Sequence, residues 1–132
     1  MTAPLARYSF LLLFALLLLH CESEPDLLVG QWQAAAVTEN GDSLKLDPRE
    51  ITFDFRPDNR YAFTSTLRYR EAGTYRVDEG FLFARDTTQP TNPERIVAIE
   101  KLTVDSLVIR MSADSARRLV TLLRTSAPPT PE

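Results

Sequence analysis

The chain is poor in the residues that enzymes and metal sites use most often. It has one histidine, His20, and one cysteine, Cys21, among 132 residues. Both stand directly behind an apolar run at 10–19, and the chain after residue 21 has neither. Ser-His-Asp and Cys-His nucleophilic sites are therefore excluded from that part, as are most zinc, copper and haem ligand sets. We expect a protein that is not an enzyme and that uses no metal or cofactor.

Long apolar runs and clustered cations are also missing. The run at 10–19 is ten residues long, whereas a transmembrane helix needs about 17–25 residues. The 15 basic and 18 acidic residues give a net charge of −3, and the signs alternate along the chain without forming a basic patch. Because neutralising phosphates requires clustered cations, nucleic acid is not an expected partner.

The first 21 residues resemble a bacterial lipoprotein signal. Arg7 and the free amino terminus precede the apolar run, which leads through Leu18 to His20 and Cys21. In such signals a branched apolar residue stands three positions before the cysteine, the leader is cleaved, and the thiol is acylated. Leu18 fits this pattern, whereas His20 stands where a small residue is usual. The resemblance implies a cleaved signal peptide over 1–20 and a lipid anchor at Cys21; the alternative is an ordinary secretory leader.

The remaining chain divides into a spacer, one domain and a tail. Residues 21–26 are polar and acidic and are expected to form the anchor and an extended spacer. Residues 27–124 are long enough for one small domain and too short for two. Residues 125–132 are rich in proline and are predicted to form a disordered tail. The lipid anchor would place this domain in the bacterial cell envelope, facing the periplasm or the cell surface.

Alternation of apolar and polar residues at period two predicts an all-β domain. Ile51, Phe53 and Phe55 alternate with polar residues, a turn follows at 57–59, and the chain is expected to return as a strand over 61–67 with Leu67 on the inward face. Eight short strands without a confident helix fit a closed up-and-down barrel or a two-sheet sandwich. Short sequential turns favour the eight-stranded antiparallel barrel. The other six strands are predicted at 29–38, 73–77, 81–85, 95–102, 107–111 and 119–123.

The ordered series of strands resembles small bacterial lipocalin-like lipoproteins. The segment 28–32, Leu-Val-Gly-Gln-Trp, resembles their Gly-X-Trp opening, and the resemblance continues through most of 27–124. It implies that Trp32, preceded by Gly30, plugs the closed end of the barrel. It also implies that an arginine of the last strand stacks on Trp32, with Arg124 as the first candidate and Arg118 as the second. Such a cation–π contact is worth about 0.5–2 kcal/mol.

The expected barrel leaves two functions open. An eight-stranded barrel is just wide enough to be filled by side chains or to hold one small ligand. In the first case the domain is a filled module that contacts another envelope protein. In the second case it binds a small apolar or amphipathic molecule. The pocket would then be lined by the aromatic residues predicted to face inward: Phe53, Phe55, Tyr61, Phe63 and Tyr75.

Charged residues of the central hairpins allow two interpretations. The arginines could gather on one outer face of the barrel, or they could form solvated pairs with acidic residues across the strands. We favour solvated pairs, each worth about 0.2–1 kcal/mol. The arginines are Arg56, Arg60, Arg68, Arg70 and Arg76, and the acidic residues are Asp54, Asp58, Glu71 and Asp78.

Overall fold

The computed structural model describes residues 24–113 and 115–126. This part begins with a five-residue helix, α1 (Glu24–Leu28), and continues with strands. The predicted signal peptide, Cys21 and tail residues 127–132 lie outside the described residues. The strands are β1 (Gly30–Glu39), β2 (Asp42–Ser43), β3 (Thr52–Phe55), β4 (Arg60–Thr64), β5 (Arg70–Asp78), β6 (Phe81–Asp86), β7 (Arg95–Leu102), β8 (Ser106–Ala113) and β9 (Ala116–Arg124).

The strands form one antiparallel sheet that closes on itself. From β3 to β9 each strand pairs with the next in chain order, and β1 pairs with both β3 and β9. The contact between β1 and β9 runs from Trp32 opposite Arg124 to Glu39 opposite Arg118. Strand β2 is a two-residue extension that pairs only with the far end of β1. The other eight strands make the closed barrel that the hairpin pattern predicted, and the sandwich alternative is wrong.

Connectivity defines two ends of the barrel. The closed end is where β1 begins and β9 finishes, and it includes α1 and the turns at 56–59, 79–80 and 103–105. The mouth is the opposite end, where the remaining connections between strands lie. Helix α1 packs beneath the closed end against β5 and β7, and its Leu28 is fully buried.

The core follows the alternation of burial along the strands. Inward positions carry large apolar side chains, among which Trp32, Phe55, Leu107, Ile109 and Leu122 are almost fully buried. The buried positions Val120 and Leu122 also establish which face of β9 is inward, a point that its apolar sequence left ambiguous. At the mouth, Leu44 and Leu46 of the loop after β2 pack against the core.

Strand β4 is shorter than predicted. It ends at Thr64, and the chain then makes a tight turn at Thr66–Arg68. Leu67 and Arg68 have positive φ values of 60° and 59°, and the side chain of Leu67 is 97% exposed. The expectation that Leu67 faces inward is therefore wrong. The reason is the short connection to β5, which requires a reversal immediately after Thr64.

The folded part also extends beyond both predicted boundaries. Residues Glu24 to Asp26 belong to α1, so the extended spacer predicted for 21–26 is wrong over its second half. Proline is tolerated in the first turn of a helix, which explains why Pro25 does not prevent this. At the other end, Gln31 accepts a backbone hydrogen bond from Thr125 and donates one to Ser126. Thr125 and Ser126 therefore lie in the folded part and not in a disordered tail.

Candidate functional site

Trp32 and Arg124 meet at the closed end. The guanidinium carbon of Arg124 lies 4.2 Å from the centroid of the Trp32 ring. The same guanidinium donates to the carbonyls of Val104 (2.5 Å), Val29 (2.7 Å) and Leu27. Burial lowers the pKa of Arg124 from its ordinary value, and the charge of Asp105 opposes this shift. Because these contacts join β9 to the segment that enters β1 and to the turn at 103–105, their role is structural.

The position of the Arg124 guanidinium explains why residue 30, two positions before Trp32, is a glycine. Gly30 has φ of +136°, and a Cβ at this position would lie 2.3 Å from Nη1 of Arg124. Glycine is therefore required both by the backbone conformation and by the close approach of the guanidinium. The second prediction, that Arg118 stacks on Trp32, is wrong. Arg118 lies at the mouth and pairs with Glu39.

The five aromatic residues predicted to line a pocket are all buried, with 2–8% of their surface exposed. Phe53 stacks on Phe55 at 5.3 Å and packs on Phe63 at 4.6 Å, while Phe55 meets the edge of Tyr75 at 5.1 Å. The hydroxyl of Tyr75 donates to the carbonyl of Arg56. These side chains form a packed aromatic wall along the inside of β3, β4 and β5.

A cleft of about 240 Å³ lies beside this wall rather than within it. It lies over the outward-facing Ala62 and Ala72, and Tyr61 is the one member of the predicted pocket that contributes to its lining. The remaining lining residues are Arg56, Arg60, Gly73, Thr74 and Thr87.

The mouth contains a buried carboxylate. Glu71 is only 4% exposed, and it accepts hydrogen bonds from Tyr61 (2.5 Å), Tyr69 (3.0 Å) and Arg95 (3.1 Å). The expectation that Glu71 is a solvated partner of a surface arginine is therefore wrong. The sequence did contain a signal for this burial, because Glu71 lies two residues before Gly73 and alternate residues of a strand share one face. In β5 that face is the inward one.

The surroundings of Glu71 favour the neutral form of both tyrosines. Burial raises the pKa of Tyr61 far above its ordinary value, and the hydrogen bond to Glu71 raises it further. The hydrogen bond to Glu71 is the main cause that raises the pKa of Tyr69. Nearby Asp86, itself 5% exposed, accepts hydrogen bonds from Thr88 and Asn92. These bonds hold the pKa of Asp86 below its ordinary value, and the bond from the Thr88 side chain has the largest effect.

A second arginine–glutamate pair faces into the mouth. Nη2 of Arg118 lies 3.2 Å from a carboxylate oxygen of Glu39, and Arg118 shares the inward face of β9 with Val120. Nε of Arg118 is buried and has no hydrogen-bond partner among the described residues. About a third of each side chain is exposed, 37% for Arg118 and 30% for Glu39. The mouth therefore combines two ion pairs with a buried donor that has no acceptor in the described part of the chain.

The outer wall carries surface ion pairs and apolar side chains. Arg56 lies 3.7 Å from Asp54, two residues earlier on the same strand segment, so this solvated pair does not cross between strands. Arg76 lies 4.0 Å from Glu94, which is not one of the predicted partners. Arg76 also stacks on Phe83 at 3.8 Å. The outward residues of β6 and β7 form an apolar strip, in which Phe81 pairs with Ala98 and Phe83 with Ile96.

The described part of the chain contains neither a cluster of metal ligands nor a membrane-spanning helix. Among them, no three or more histidine, cysteine, aspartate or glutamate residues are grouped so that they could hold a metal ion. No helix in the described part is both long and apolar enough to cross a membrane. The carboxylate of Glu71 is engaged by three donors.

The closed eight-stranded barrel, plugged at one end by a tryptophan, defines a lipocalin-like fold. A lipocalin-like protein from Bacteroides uniformis superposes with a TM-score of 0.56 and 15% identity, covering 76% of this chain and 99% of that one. An uncharacterised protein from Bacteroides eggerthii superposes with a TM-score of 0.52 and 14% identity, covering 73% and 98%. No protein-family model matches the chain, and no curated protein matches it. The predicted lipocalin-like fold is confirmed.

Proposed function

We propose that this chain is a non-enzymatic, lipid-anchored protein of the bacterial envelope whose barrel binds a small amphipathic molecule at the mouth. The observation that carries the proposal is the polar mouth above the aromatic wall. The non-enzymatic part is supported by the absence of histidine after residue 20. It is also supported by Glu71, whose carboxylate has three donors and is held as a structural group.

The inner surface of the barrel changes from apolar to polar between two directly paired residues of neighbouring strands. Phe63 stands directly opposite Glu71 in the pairing of β4 with β5, and Phe63 packs on Phe53 of the aromatic wall. Ligand sites typically combine an apolar lining with a few placed polar groups that orient the ligand. An amphiphile would lay its apolar part along the wall and leave its polar group among the ion pairs.

Arg118 indicates the kind of polar group that would fit. Its Nε is a buried donor without an acceptor among residues 24–113 and 115–126, and an unpaired buried donor costs about 1–3 kcal/mol. Glu39 already balances the positive charge of the guanidinium, so the polar group of a ligand must offer an oxygen acceptor but need not carry a charge. Carboxylate, ester and hydroxyl oxygens all meet this requirement.

Ligand binding is tested with dodecanoate, dodecylphosphocholine and dodecyl maltoside, each below its micelle concentration. At least one should raise the melting temperature of the protein, and Arg118→Gln should lose most of that rise. Arg117→Gln is the matched control, because Arg117 is the neighbouring exposed residue on the opposite face of β9. If none of the three amphiphiles changes the melting temperature, or if both variants respond like wild type, the proposed mouth site is wrong.

The lipid anchor is supported by the position of Cys21. It is the only thiol of the chain and stands directly behind the apolar leader. Acylation accounts for a lone cysteine in an exported protein, where a free thiol would be open to oxidation. Cys21→Ser should move the protein from the membrane fraction to the soluble fraction. Equal membrane retention of the variant and wild type would contradict the anchor.

A second candidate function is a filled barrel that contacts another envelope protein. Two observations favour it: the mutual packing of the aromatic wall, and the apolar strip on β6 and β7, where Ile96 is 55% exposed. Contiguous exposed apolar surface often marks a protein interface. A photo-crosslinker at position 96 should then capture an envelope protein in cells, a crosslinker at position 117 should not, and the amphiphiles should have no effect.

A further inference from the structure

We propose that the lipidated protein stands on a zwitterionic bilayer surface with its closed end down, so that the mouth points away from the membrane that anchors it. This inference rests on the lipid anchor at Cys21 proposed above. It adds an orientation, a contact surface and a direction from which the ligand reaches the mouth.

The chain between the anchor and the barrel is held tightly at the closed end. The carbonyls of Leu27 and Val29 accept hydrogen bonds from Arg124, and the carbonyl of Leu28 accepts one from the Trp32 indole at 2.8 Å. The side chain of Leu28 is fully buried. Helix α1 therefore moves with the barrel as one body.

The remaining tether is too short for the mouth to reach the bilayer. Three residue steps separate Cys21 from Glu24, the first residue of α1, and an extended chain covers at most about 11 Å over three steps. Strand β1 has ten residues, and a strand of that length, tilted as in a barrel, spans about 25 Å along the axis. With α1 in place, the mouth is held away from the surface into which the acyl chains insert.

The closed end has apolar side chains suited to this contact. Phe81, Val104 and Leu123 are 43%, 44% and 48% exposed. Val104 lies in the turn at 103–105, Phe81 directly follows the turn at 79–80, and Leu123 pairs with Ser106 at the start of β8. All three therefore lie at or next to the end that carries α1.

Acidic residues in the same turns determine the kind of surface. Asp78, Glu79 and Asp105 border the turns that carry Phe81 and Val104, and all three are exposed. An anionic leaflet has a negative surface potential, which attracts basic segments and repels acidic side chains such as these. Arg56 and Arg60 are exposed at the third turn of this end, 56–59, so the closed end carries charges of both signs and suits a zwitterionic headgroup layer. In this orientation the ligand reaches the mouth from the aqueous side or from a carrier there, and not directly from the anchoring leaflet.

The orientation is tested on lipidated protein in phosphatidylcholine nanodiscs that contain a brominated lipid. Acylation blocks Cys21, so Val104→Cys and Leu67→Cys each provide a single thiol for a fluorophore, one at the closed end and one at the mouth. The label at position 104 should lose more emission to bromine than the label at position 67. Equal losses, or a larger loss at position 67, would overturn the orientation.

Two further measurements separate the possible failures. Mass spectrometry of the same samples shows whether Cys21 is acylated; an unmodified thiol overturns both the anchor and the orientation, whereas acylated protein with equal quenching overturns the orientation alone. Leu123→Asp should reduce the quenching at position 104, and Ile96→Asp on the side wall should leave it unchanged. Stronger quenching in nanodiscs enriched in phosphatidylglycerol would contradict the zwitterionic surface.

Discussion

The guanidinium of Arg124 lies over the indole ring of Trp32 and at the same time donates to three backbone carbonyls. One side chain of the last strand thereby fixes the plug, the turn between β7 and β8, and the segment that enters β1. Lysine retains the charge but lacks the fixed fork of donors that these separate acceptors require. The closure of the barrel therefore depends on arginine at this position.

Arg124→Ala should lower the free energy of unfolding by about 2–4 kcal/mol, because hydrogen bonds to a charged group and a cation–π contact are lost together. Arg124→Lys should restore less than half of this loss. Urea denaturation measures both values, and Arg117→Ala serves as an exposed control, with a change within about 0.5 kcal/mol. If Arg124→Ala is as stable as wild type, the closed end does not depend on this contact.

Gly30 and Arg124 should be energetically coupled. Gly30→Ala places a Cβ 2.3 Å from the guanidinium and strains a backbone with φ of +136°, so it should be destabilising on its own. In an Arg124→Ala background the collision is absent, and only the backbone strain remains. A double-mutant cycle by urea denaturation should give an interaction energy of about 1–3 kcal/mol. Strict additivity would show that the close approach does not exist in solution.

The buried position of Glu71 should separate it sharply from a surface glutamate. Glu71→Ala leaves the Tyr61 hydroxyl without its acceptor and Arg95 without its counter-charge, and we expect a loss of about 2–4 kcal/mol. Glu100 pairs with Arg110 at 2.9 Å but is 41% exposed, so Glu100→Ala should cost less than about 1 kcal/mol. Similar losses for the two variants, again by urea denaturation, would contradict the burial of Glu71.

Some elements of the barrel were predictable from neighbouring residues alone, whereas the burial of Glu71 was not. Period-two alternation depends only on neighbouring residues and can therefore be read from the sequence. It predicted the bounds of β7, 95–102, and the hairpin of β3 with β4, and both are confirmed. The same alternation, extended back from Gly73, would put Glu71 on the inward face, but Glu71 was expected in solvent, as a carboxylate is unless its partners are known. One of those partners, Arg95, lies 24 residues away, and no local pattern connects the two.

Other features depended on contacts that local patterns do not contain. Gly73 is one example: a Cβ there would lie 1.8 Å from the carbonyl oxygen of Arg85 on the next strand. Strand closure between β1 and β9 is another, because it joins residues about 90 positions apart, such as Trp32 and Arg124. The stacking of these two side chains was expected from the resemblance to lipocalin-like proteins and not from alternation.

The tyrosines should make the protein sensitive to alkali. Burial raises the pKa of Tyr75 to about 12, with smaller contributions from Asp58 and Asp26, whereas an unfolded tyrosine titrates near about 10. The folded state therefore keeps a proton that the unfolded state loses, and stability should fall as the pH rises from about 10 to about 12. Tyr75→Phe should show a shallower fall in urea midpoints over this range. An equally steep fall would contradict a raised pKa for Tyr75.

Binding of an amphiphile at the mouth is tested most directly by amide chemical shifts. Isotope-labelled protein is titrated with dodecanoate, and then with the other two amphiphiles, below their micelle concentrations. The largest saturable shifts should fall around Glu39, Glu71 and Arg118, with little change at Trp32. Shifts confined to Phe81 and Ile96 on the outer wall, or no saturable shift with any of the three, would contradict a binding site in the mouth.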